Sequence, residues 1–281
     1  MKLSIITINL NQCAGLRETL ASVAAQKFTD YEHIIIDGGS TDGSVDEIRA
    51  YERGSCRDAC RDSCRLKFWI SERDTGIFNA MNKGLPHADG EWLLFLNAGD
   101  SLHDADVLSD VFNAEHDADV VYGDLTGSGL RRGKHMSFPA NLTLPFLYIA
   151  SLPHQGAFIK RVCFNGRCYD ERFRIVSDWA FFLRLFLEGC KFTHIDRTIS
   201  RFNLDGVSGQ ARMQRAHRRE RKTVLREMLT PEQRAACERE LVLEHAPFIL
   251  RPFLKSSRIL QHAAFRCANA IRFAQARLRE P

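Results

Sequence analysis

The sequence predicts an α/β fold, in which a mostly parallel central sheet is flanked by helices and followed by a helical C-terminal extension. Two observations carry this prediction. Apolar, β-branched runs alternate with segments of helical periodicity through residues 3–97, and three of the four runs end in polar or glycine residues. With 281 residues and 44% hydrophobic content, the chain can also bury a substantial core.

The first two strand–helix pairs follow directly from the residue pattern. The run LSIITINL (3–10) predicts a buried strand, and the next segment places Leu16, Leu20 and Val23 at helical spacing. A second strand, HIIIDGG (33–39), ends in a carboxylate and two glycines. The segment STDGSVDEIRAYE then predicts a helix with Ser40 or Thr41 as its N-cap.

Two further strands bring polar residues to the same predicted edge of the sheet. LKFWIS (66–71) precedes a helix-like segment that closes at Gly84, and EWLLFLN (91–97) runs into Asn97-Ala98-Gly99-Asp100. Ligands bind beyond the carboxyl ends of parallel strands. Carboxylates after the second and fourth strands therefore indicate a site for a hard cation that holds a phosphate, although Asp and Gly at a strand end also form ordinary turns.

Beyond residue 119 the pattern is less regular. DVVYGD is typical of a strand, LRRGKHMSFPANLTLP is typical of a loop, and HQGAFIKR predicts another strand. DWAFFLRLFLE (178–188) predicts an apolar helix with Asp178 at its N-terminal end, and residues 210–245 predict charged helix.

Six segments in this order resemble glycosyltransferase family 2, the inverting enzymes with a GT-A (Rossmann-like) nucleotide-sugar-binding fold, and are most similar to bacterial transferases of exopolysaccharide, colanic-acid and lipopolysaccharide biosynthesis. The segments are SIITINLN, IIIDGGSTDGS, WISERDTGIFNAMNKGL, GEWLLFLNAGD, LPHQGAFIKR and SDWAFFLRL. The resemblance covers roughly residues 3–205.

The resemblance implies a donor site and a base. It implies that the nucleotide-sugar donor is bound by Thr7, Asn9, Asp37, Asp74, Asn82, Lys83 and His154. It also implies that Asp178 is the catalytic base, which takes the proton of the acceptor hydroxyl during inverting transfer. From the residues alone, Asp178 is also a suitable acid for a helix N-terminus.

The resemblance implies a divalent cation, Mg²⁺ or Mn²⁺, at Asp100. The family's metal-binding element often has two or more aspartates, whereas here it reads Asn97-Ala98-Gly99-Asp100. Since Mg²⁺ commonly takes one or two protein carboxylates and fills its other positions with phosphate oxygens and water, one aspartate suffices in principle. We expect the ion to bind together with the donor.

Charge divides the chain into a predicted transferase domain, 1–210, and a basic helical extension, 211–281. The extension holds 16 Lys/Arg against 7 Asp/Glu, a net +9 within a chain of net +4, so the first domain is acidic. Aromatic and aliphatic residues among the arginines of residues 246–281 indicate an amphipathic element at an anionic membrane. A solvated helical tail is the alternative, and no recognised nucleic-acid motif is present.

Cysteine usage and the first residues indicate the cytoplasm, with peripheral contact to the inner face of the cytoplasmic membrane. The chain has nine cysteines, an odd number, and its beginning lacks the pattern of a signal peptide. Cys56, Cys60 and Cys64 form a tandem repeat that we interpret as a solvated insertion, with a soft-metal site as the alternative.

The sequence therefore predicts an inverting, metal-dependent glycosyltransferase of hexosyltransferase type. It transfers a sugar from a nucleoside-diphosphate sugar to a growing surface polysaccharide or a lipid-linked glycan. A non-catalytic nucleotide-sugar-binding or scaffolding protein of the same fold is the alternative. A dinucleotide-dependent oxidoreductase is disfavoured because no G-x-G-x-x-G follows the first strand.

Overall fold

The computed structural model describes residues 1–54, 65–128, 133–203 and 211–245. Two compact units are present: Met1–Leu142 with Leu152–Glu220, and Thr143–Ser151 with Arg221–Pro281. The predicted boundary after residue 210 lies before this division, and the structure also assigns residues 143–151 to the second unit. None of the helices in the described ranges has the length and hydropathy of a membrane-spanning segment.

The first unit is built on a nine-stranded sheet of order β3-β2-β1-β4-β8-β6-β9-β5, with β7 paired to β6. β1 is parallel to β2 and β4, and β2 is parallel to β3, as the alternating pattern predicts. β8 is antiparallel to both β4 and β6, which makes the sheet mixed. The strands are β1 (Leu3–Asn9), β2 (Tyr31–Asp37), β3 (Leu66–Ser71), β4 (Trp92–Phe95), β5 (Ser101–Leu102), β6 (Val120–Ser128), β7 (His135–Met136), β8 (Ala157–Lys160) and β9 (Phe192–Asn203).

Eight α-helices accompany the strands in the part of the chain that is described. They are α1 (Cys13–Ala24), α2 (Ser44–Glu52), α3 (Ile77–Gly84), α4 (Val107–Phe112), α5 (Leu144–Ile149), α6 (Ser177–Leu187), α7 (Ala211–Met228) and α8 (Pro231–His245). The predicted single helical stretch over 210–245 is interrupted between α7 and α8, where Pro231 begins the second helix.

Core packing places helices on both faces of the sheet. On one face, Leu16 and Leu20 of α1 pack with Ile35 of β2 and with Ile48 and Tyr51 of α2. On the other face, α3 approaches β1 so closely that a Cβ on Gly84 would lie 2.6 Å from Ile6 Cγ2. A glycine at the end of α3 therefore allows helix and sheet to pack without a gap.

In the second unit, the guanidinium of Arg221, in the middle of α7, binds the backbone of α5. Arg221 Nη2 donates to the carbonyl oxygens of Leu147, Tyr148 and Ala150, at 3.3, 3.1 and 3.5 Å. Tyr148 Oη donates to Glu238 Oε1 of α8 at 2.9 Å. Because these bonds link residues 144–150 to the helices, this short segment groups with the second unit rather than with the sheet.

Local structure differs from the sequence predictions at several points, since the predicted loop over residues 130–145 also contains β7 and the start of α5. The helix predicted to begin at Ser40 or Thr41 begins at Ser44, because its N-cap is Gly43 with φ of 95°. The predicted strand HQGAFIKR is a 3₁₀ turn over His154–Gly156 followed by β8. The strand β9 was not predicted, although its alternating Thr, Ile and Phe residues are typical of a strand.

Candidate active site

Asp37 organises the ends of three neighbouring strands. Register places it opposite Asn9 of β1 and Ser71 of β3. One carboxylate oxygen accepts from Asn9 Nδ2 at 2.7 Å and Ser40 Oγ at 2.6 Å. The other accepts from Ser71 Oγ at 2.6 Å and from the N–H groups of Ser40 and Gly39 at 2.8 and 3.1 Å.

These five donors keep Asp37 ionised although it is completely buried. Burial alone would raise the pKa of Asp37, but hydrogen bonds from Ser40, Ser71 and Asn9 outweigh burial and lower the pKa. The carboxylate therefore anchors this edge of the sheet. Beside it, the buried Oδ1 of Asn9 has no hydrogen-bond partner among the described residues.

Thr7 lies two residues before the end of β1, and its contact with the donor stays a prediction. It is inside β1 and completely buried, and its Oγ1 is 2.9 Å from His33 Nε2. His33 Nδ1 is in turn 3.1 Å from Tyr51 Oη. Since β-strand side chains alternate between faces, Thr7 packs against the helical layer that contains α2 rather than projecting from the strand end.

Asp74 occupies the space beside Gly38. A Cβ built on Gly38 would lie 2.4 Å from Asp74 Oδ2 and 3.2 Å from Leu10 Cδ1, so the absence of a side chain at residue 38 makes room for both. Asp74 Oδ1 accepts from the N–H of Gly76 at 3.0 Å. The exposed apolar side chains of Leu10 and Ile77, 53% and 38% exposed, belong to the same region of strand ends and helix start.

The segment Asn97–Asp100 is a turn, as its composition predicts, and α1 holds it in place. Asp100 N donates to Asn97 O at 2.9 Å, and Gly99 has φ of 97°, a conformation that favours glycine. Thr19 Oγ1 donates to Asp100 O at 2.6 Å and accepts from Gly99 N at 3.0 Å. A Cβ on Gly15 would lie 2.9 Å from Gly99 Cα, so α1 and the turn are in direct backbone contact.

His154 links this turn to Asp178. His154 Nε2 lies 3.0 Å from Asn97 Nδ2, and His154 Nδ1 lies 3.0 Å from Asp178 Oδ2. Asp178 Oδ1 accepts from the N–H of Trp179 at 2.8 Å. The side chains of His154 and Asp178 are 14% and 18% exposed. The structure thus brings together three residues from the end of β4, the start of β8 and the first turn of α6.

An aromatic cluster surrounds Tyr169, which is close enough to Asp178 to be affected by its charge. Tyr169 is 1% exposed and packs against Phe95, Phe164 and Phe181, with ring centroids 5.2, 5.6 and 5.3 Å away. Burial, and then the charge of Asp178, raises the pKa of Tyr169 well above its usual value. The tyrosine therefore stays neutral, and its hydroxyl has no hydrogen-bond partner among the described residues.

Asn82 and Lys83 are both engaged by the protein. Asn82 Nδ2 donates to Tyr169 O and Glu171 Oε1, each at 2.9 Å, and Asn82 Oδ1 accepts from Tyr169 N at 2.9 Å. Lys83 Nζ donates to Arg73 O at 3.0 Å and lies 2.7 Å from Glu72 Oε1. Both side chains therefore tie α3 to neighbouring loops, a role that the motif did not indicate.

The single carboxylate at the Asn97–Asp100 turn fits a hard cation whose other ligands are oxygens of the bound nucleotide sugar and water. Asp100 supplies one carboxylate, and Mg²⁺ prefers oxygen ligands and commonly takes only one or two from the protein. Among the described residues, no group of three or more His, Cys, Asp or Glu side chains is placed to hold a metal. Cys56, Cys60 and Cys64 lie outside the described residues, so the predicted insertion is untested.

Sequence patterns missed the residues that position the site rather than form it. Each of these residues contacts a site residue that is distant in sequence, as Thr19 does when it donates to the carbonyl oxygen of Asp100. The residues are Gly15, Thr19, Ser71 and Glu171. The sequence signal for this contact was a small residue, Gly15, followed one turn later on α1 by a hydroxyl, Thr19.

Solved structures with this architecture identify the fold. Staphylococcus aureus TarS in complex with UDP-GlcNAc superposes with a TM-score of 0.60 and 20% identity over 94% of this chain and 73% of that one. The mannosyltransferase PcManGT from Pyrobaculum calidifontis, in complex with GDP-Man and Mn²⁺, gives 0.57 and 16%, covering 97% and 75%. The α/β sheet is therefore the GT-A fold of glycosyltransferases.

The chain belongs to glycosyl transferase family 2, whose profile matches residues 4–165. A PGL/p-HBAD biosynthesis glycosyltransferase of Mycobacterium bovis is 37% identical over 190 residues, which is 65% of this chain and 69% of the relative. An uncharacterized glycosyltransferase of Mycobacterium tuberculosis is 32% identical over 211 residues, 73% and 76% of the two chains. The chain is therefore a glycosyltransferase of this family.

Proposed function

We propose that this glycosyltransferase moves a hexose, with inversion, from a nucleoside-diphosphate sugar to a hydroxyl of a surface glycan or lipid-linked glycan. The observation that carries the proposal is the Asp178 carboxylate, which is held on both oxygens at the sheet edge that also bears Asn97 and Asp100. A fixed carboxylate is the group that inverting transfer requires from the protein.

The related structures support a nucleotide-sugar donor. TarS was solved with UDP-GlcNAc and PcManGT with GDP-Man, and both share the fold of this chain. At this edge of the sheet, Asn9 at the end of β1 and the partly exposed Asp74 are the residues that we assign to the nucleoside. The Asp37 carboxylate orders the surrounding backbone, and its contact with the nucleoside remains part of the proposal.

Transfer is a single displacement in which one carboxylate accepts one proton. The acceptor hydroxyl gives its proton to an oxygen of Asp178 while the acceptor oxygen forms a bond to the anomeric carbon. The bond between that carbon and the diphosphate oxygen breaks on the opposite face, and its electron pair leaves with the nucleoside diphosphate. The configuration of the anomeric carbon is inverted as a result.

Asp100 is the residue that would hold a divalent cation, Mg²⁺ or Mn²⁺, together with oxygens of the diphosphate. When bound there, the cation neutralises charge that develops on the leaving group. The protein's own contribution is positional, because α1 fixes the backbone of Asp100 through Thr19. With a single carboxylate in the turn, we expect cation and donor to bind together.

Substitution at Asp178 tests the mechanism. A thermal-shift screen of nucleoside diphosphates and their sugars, with Mg²⁺ or Mn²⁺, first identifies the donor by the stabilisation that ligand binding confers. Asp178→Asn is then expected to lower transfer by roughly 10² to 10⁴-fold while leaving donor affinity largely intact. Turnover near that of the wild type would show that Asp178 is not the base.

Substitution at Asp100 tests the cation site separately. Asp100→Ala is expected to weaken donor binding in the presence of the cation, and to change binding of the metal-free donor little, since the carboxylate acts through the ion. Calorimetric titration with and without Mn²⁺ measures both. Equal losses under the two conditions would contradict a cation at this residue.

A non-catalytic nucleotide-sugar-binding protein is the second candidate, favoured by the single carboxylate of the Asn97–Asp100 turn. Donor binding without transfer or donor hydrolysis above background would identify it. Cleavage of the donor that depends on Asp178 would exclude it.

Contact with the inner face of the cytoplasmic membrane completes the proposal. It is supported by the net +9 of residues 211–281 and by the apolar residues among the arginines of 246–281. Residues 246–281 lie outside the described structure. A lipid-linked acceptor would be presented at such a surface.

A further inference from the structure

We propose that His154 and Asn97 are positioning residues for the base, and that Asn97 fixes the imidazole tautomer that holds Asp178. The inference rests on the proposed function of Asp178 as the base. It assigns Asn97, which stands where the family's metal-binding element often has an aspartate, to the base rather than to the cation.

With the Asn97 amide oriented as in the structure, the two contacts of His154 fit one and the same neutral tautomer. The Asn97 amide nitrogen can only donate, so His154 Nε2, 3.0 Å away, accepts. An ionised carboxylate can only accept, so His154 Nδ1, 3.0 Å from Asp178 Oδ2, carries the hydrogen. A neutral imidazole has one donor and one acceptor nitrogen, and with Asn97 Nδ2 facing Nε2 it uses the acceptor for Asn97 and the donor for Asp178.

In this arrangement, His154 orients the carboxylate of Asp178 and does not relay its proton. Its Nδ1 already carries a hydrogen, so it cannot take the proton that Asp178 receives from the acceptor. Asp178 Oδ2 is bound by His154 and Oδ1 by the N–H of Trp179, so rotation of the carboxylate about its Cβ–Cγ bond is restricted. Each oxygen keeps a second lone pair for the acceptor hydroxyl.

Burial makes these hydrogen bonds effective. His154 and Asp178 are 14% and 18% exposed, so competition from water is limited. Asn97 is held in turn, because its carbonyl oxygen accepts from Asp100 N and Thr19 of α1 binds Gly99 N and Asp100 O. The orientation of the base is therefore set from the turn that follows β4, on the donor side of the site.

An aspartate at residue 97 would not reproduce this contact. It is close in size to asparagine but has no N–H to donate to Nε2, so the imidazole would lose the partner that selects its tautomer. Asn97→Asp therefore separates two roles. A metal-ligand role predicts tighter cation binding and faster transfer, whereas the positioning role predicts slower transfer.

Steady-state kinetics of substituted full-length chains test the positioning role. His154→Gln is expected to lower kcat about 100-fold with donor KM within about twofold, because misplacing a reacting group by about 1 Å costs that much. His154→Asn places an amide N–H near the position of Nδ1 and is expected to recover about tenfold of that loss. A raised donor KM with unchanged kcat, or equal kcat for the two variants, would overturn the proposal.

Asn97→Asp is expected to lower kcat about tenfold at saturating Mg²⁺, and a kcat above that of the wild type would overturn the assignment of Asn97. ¹⁵N NMR of the imidazole, at a pH where it is neutral, measures the tautomer without any donor, with His154→Asn identifying the resonance. Protonated Nδ1 with unprotonated Nε2 is expected. The opposite tautomer would reject the proposal even if transfer is established, and absence of transfer by the wild type would reject only the proposed function.

Discussion

At the scale of single residues, two completely buried ionisable side chains of β2 differ in charge at neutral pH, one being ionised and the other neutral. Asp37 is ionised because five protein donors surround it, whereas burial lowers the pKa of His33 to about 3 and keeps it neutral. The difference lies in their partners, since among the described residues the imidazole of His33 has hydrogen bonds to the hydroxyls of Thr7 and Tyr51.

The neutral state of His33 predicts a loss of stability in mild acid. The unfolded chain takes up a proton at His33 below about pH 6.5, whereas the folded chain does so only near 3, so folding is penalised as pH falls through this window. The penalty at pH 5 is about 2 kcal/mol.

Urea unfolding of the wild type and of His33→Gln between pH 7 and 4.5 measures this effect. The variant is expected to lose less stability on acidification than the wild type, by about 2 kcal/mol at pH 5, whatever its stability at pH 7. Asp37 does not contribute to the difference between the two proteins over this pH range, because its lowered pKa affects stability only below about pH 4. Parallel pH dependences of the two proteins would contradict a buried neutral His33.

At the scale of secondary-structure elements, α3 fixes the loop that leads into α6. Asn82 makes three hydrogen bonds to Tyr169 and Glu171, and Asn79 Nδ2 adds one to Glu171 Oε2 at 3.0 Å. At the other end of this loop, the N–H groups of Arg174 and Ile175 donate to Glu220. The position of α6, which carries Asp178, therefore depends on contacts made by α3.

Asn82→Ala is expected to reduce the free energy of unfolding by about 1–3 kcal/mol and to lower kcat, because backbone groups of Tyr169 lose their partners. Donor KM is expected to change little. Chemical denaturation and steady-state kinetics measure the two effects, and Asn79→Ala, which loses only its bonds to Glu171 and Thr75, is the matched control. Unchanged stability with a large rise in donor KM would instead support the direct donor contact that the motif implied.

At the scale of the whole molecule, charge is distributed unevenly along the chain. Residues 211–281 carry net +9 in a protein of net +4, so the extension is basic and the remainder is acidic. A uniformly charged protein would have no reason to orient at an anionic surface, whereas this distribution favours approach by one segment.

Flotation with anionic lipid vesicles tests this prediction. The full chain is expected to float with vesicles that contain phosphatidylserine, to float less at high salt, and to stay in the lower fraction with neutral vesicles, because attraction to the surface charge is screened by salt. The chain ending at residue 245 is the comparison. Equal flotation of the two chains would exclude residues 246–281 as the contact.

Features of the site that depend on one contiguous segment were predictable from the sequence. The apolar runs of β1, β2 and β4, the acids at Asp37 and Asp100 after two of them, and Asp178 in the first turn of α6 all follow from local periodicity and helix-end preferences. The parallel order of the first strands followed from the same alternation. These are the features that carried the family resemblance.

Tertiary structure alone decided which side chains meet. The Asn97–His154–Asp178 chain joins three segments, and its existence depends on β8 lying next to β4 in register. The burial of Thr7 against His33, and the use of Asn82 by the loop before α6, depend likewise on neighbours distant in sequence. Periodicity determines which face a residue takes, but hydrogen-bond partners across a sheet are set by packing, and that packing placed His154 between Asn97 and Asp178.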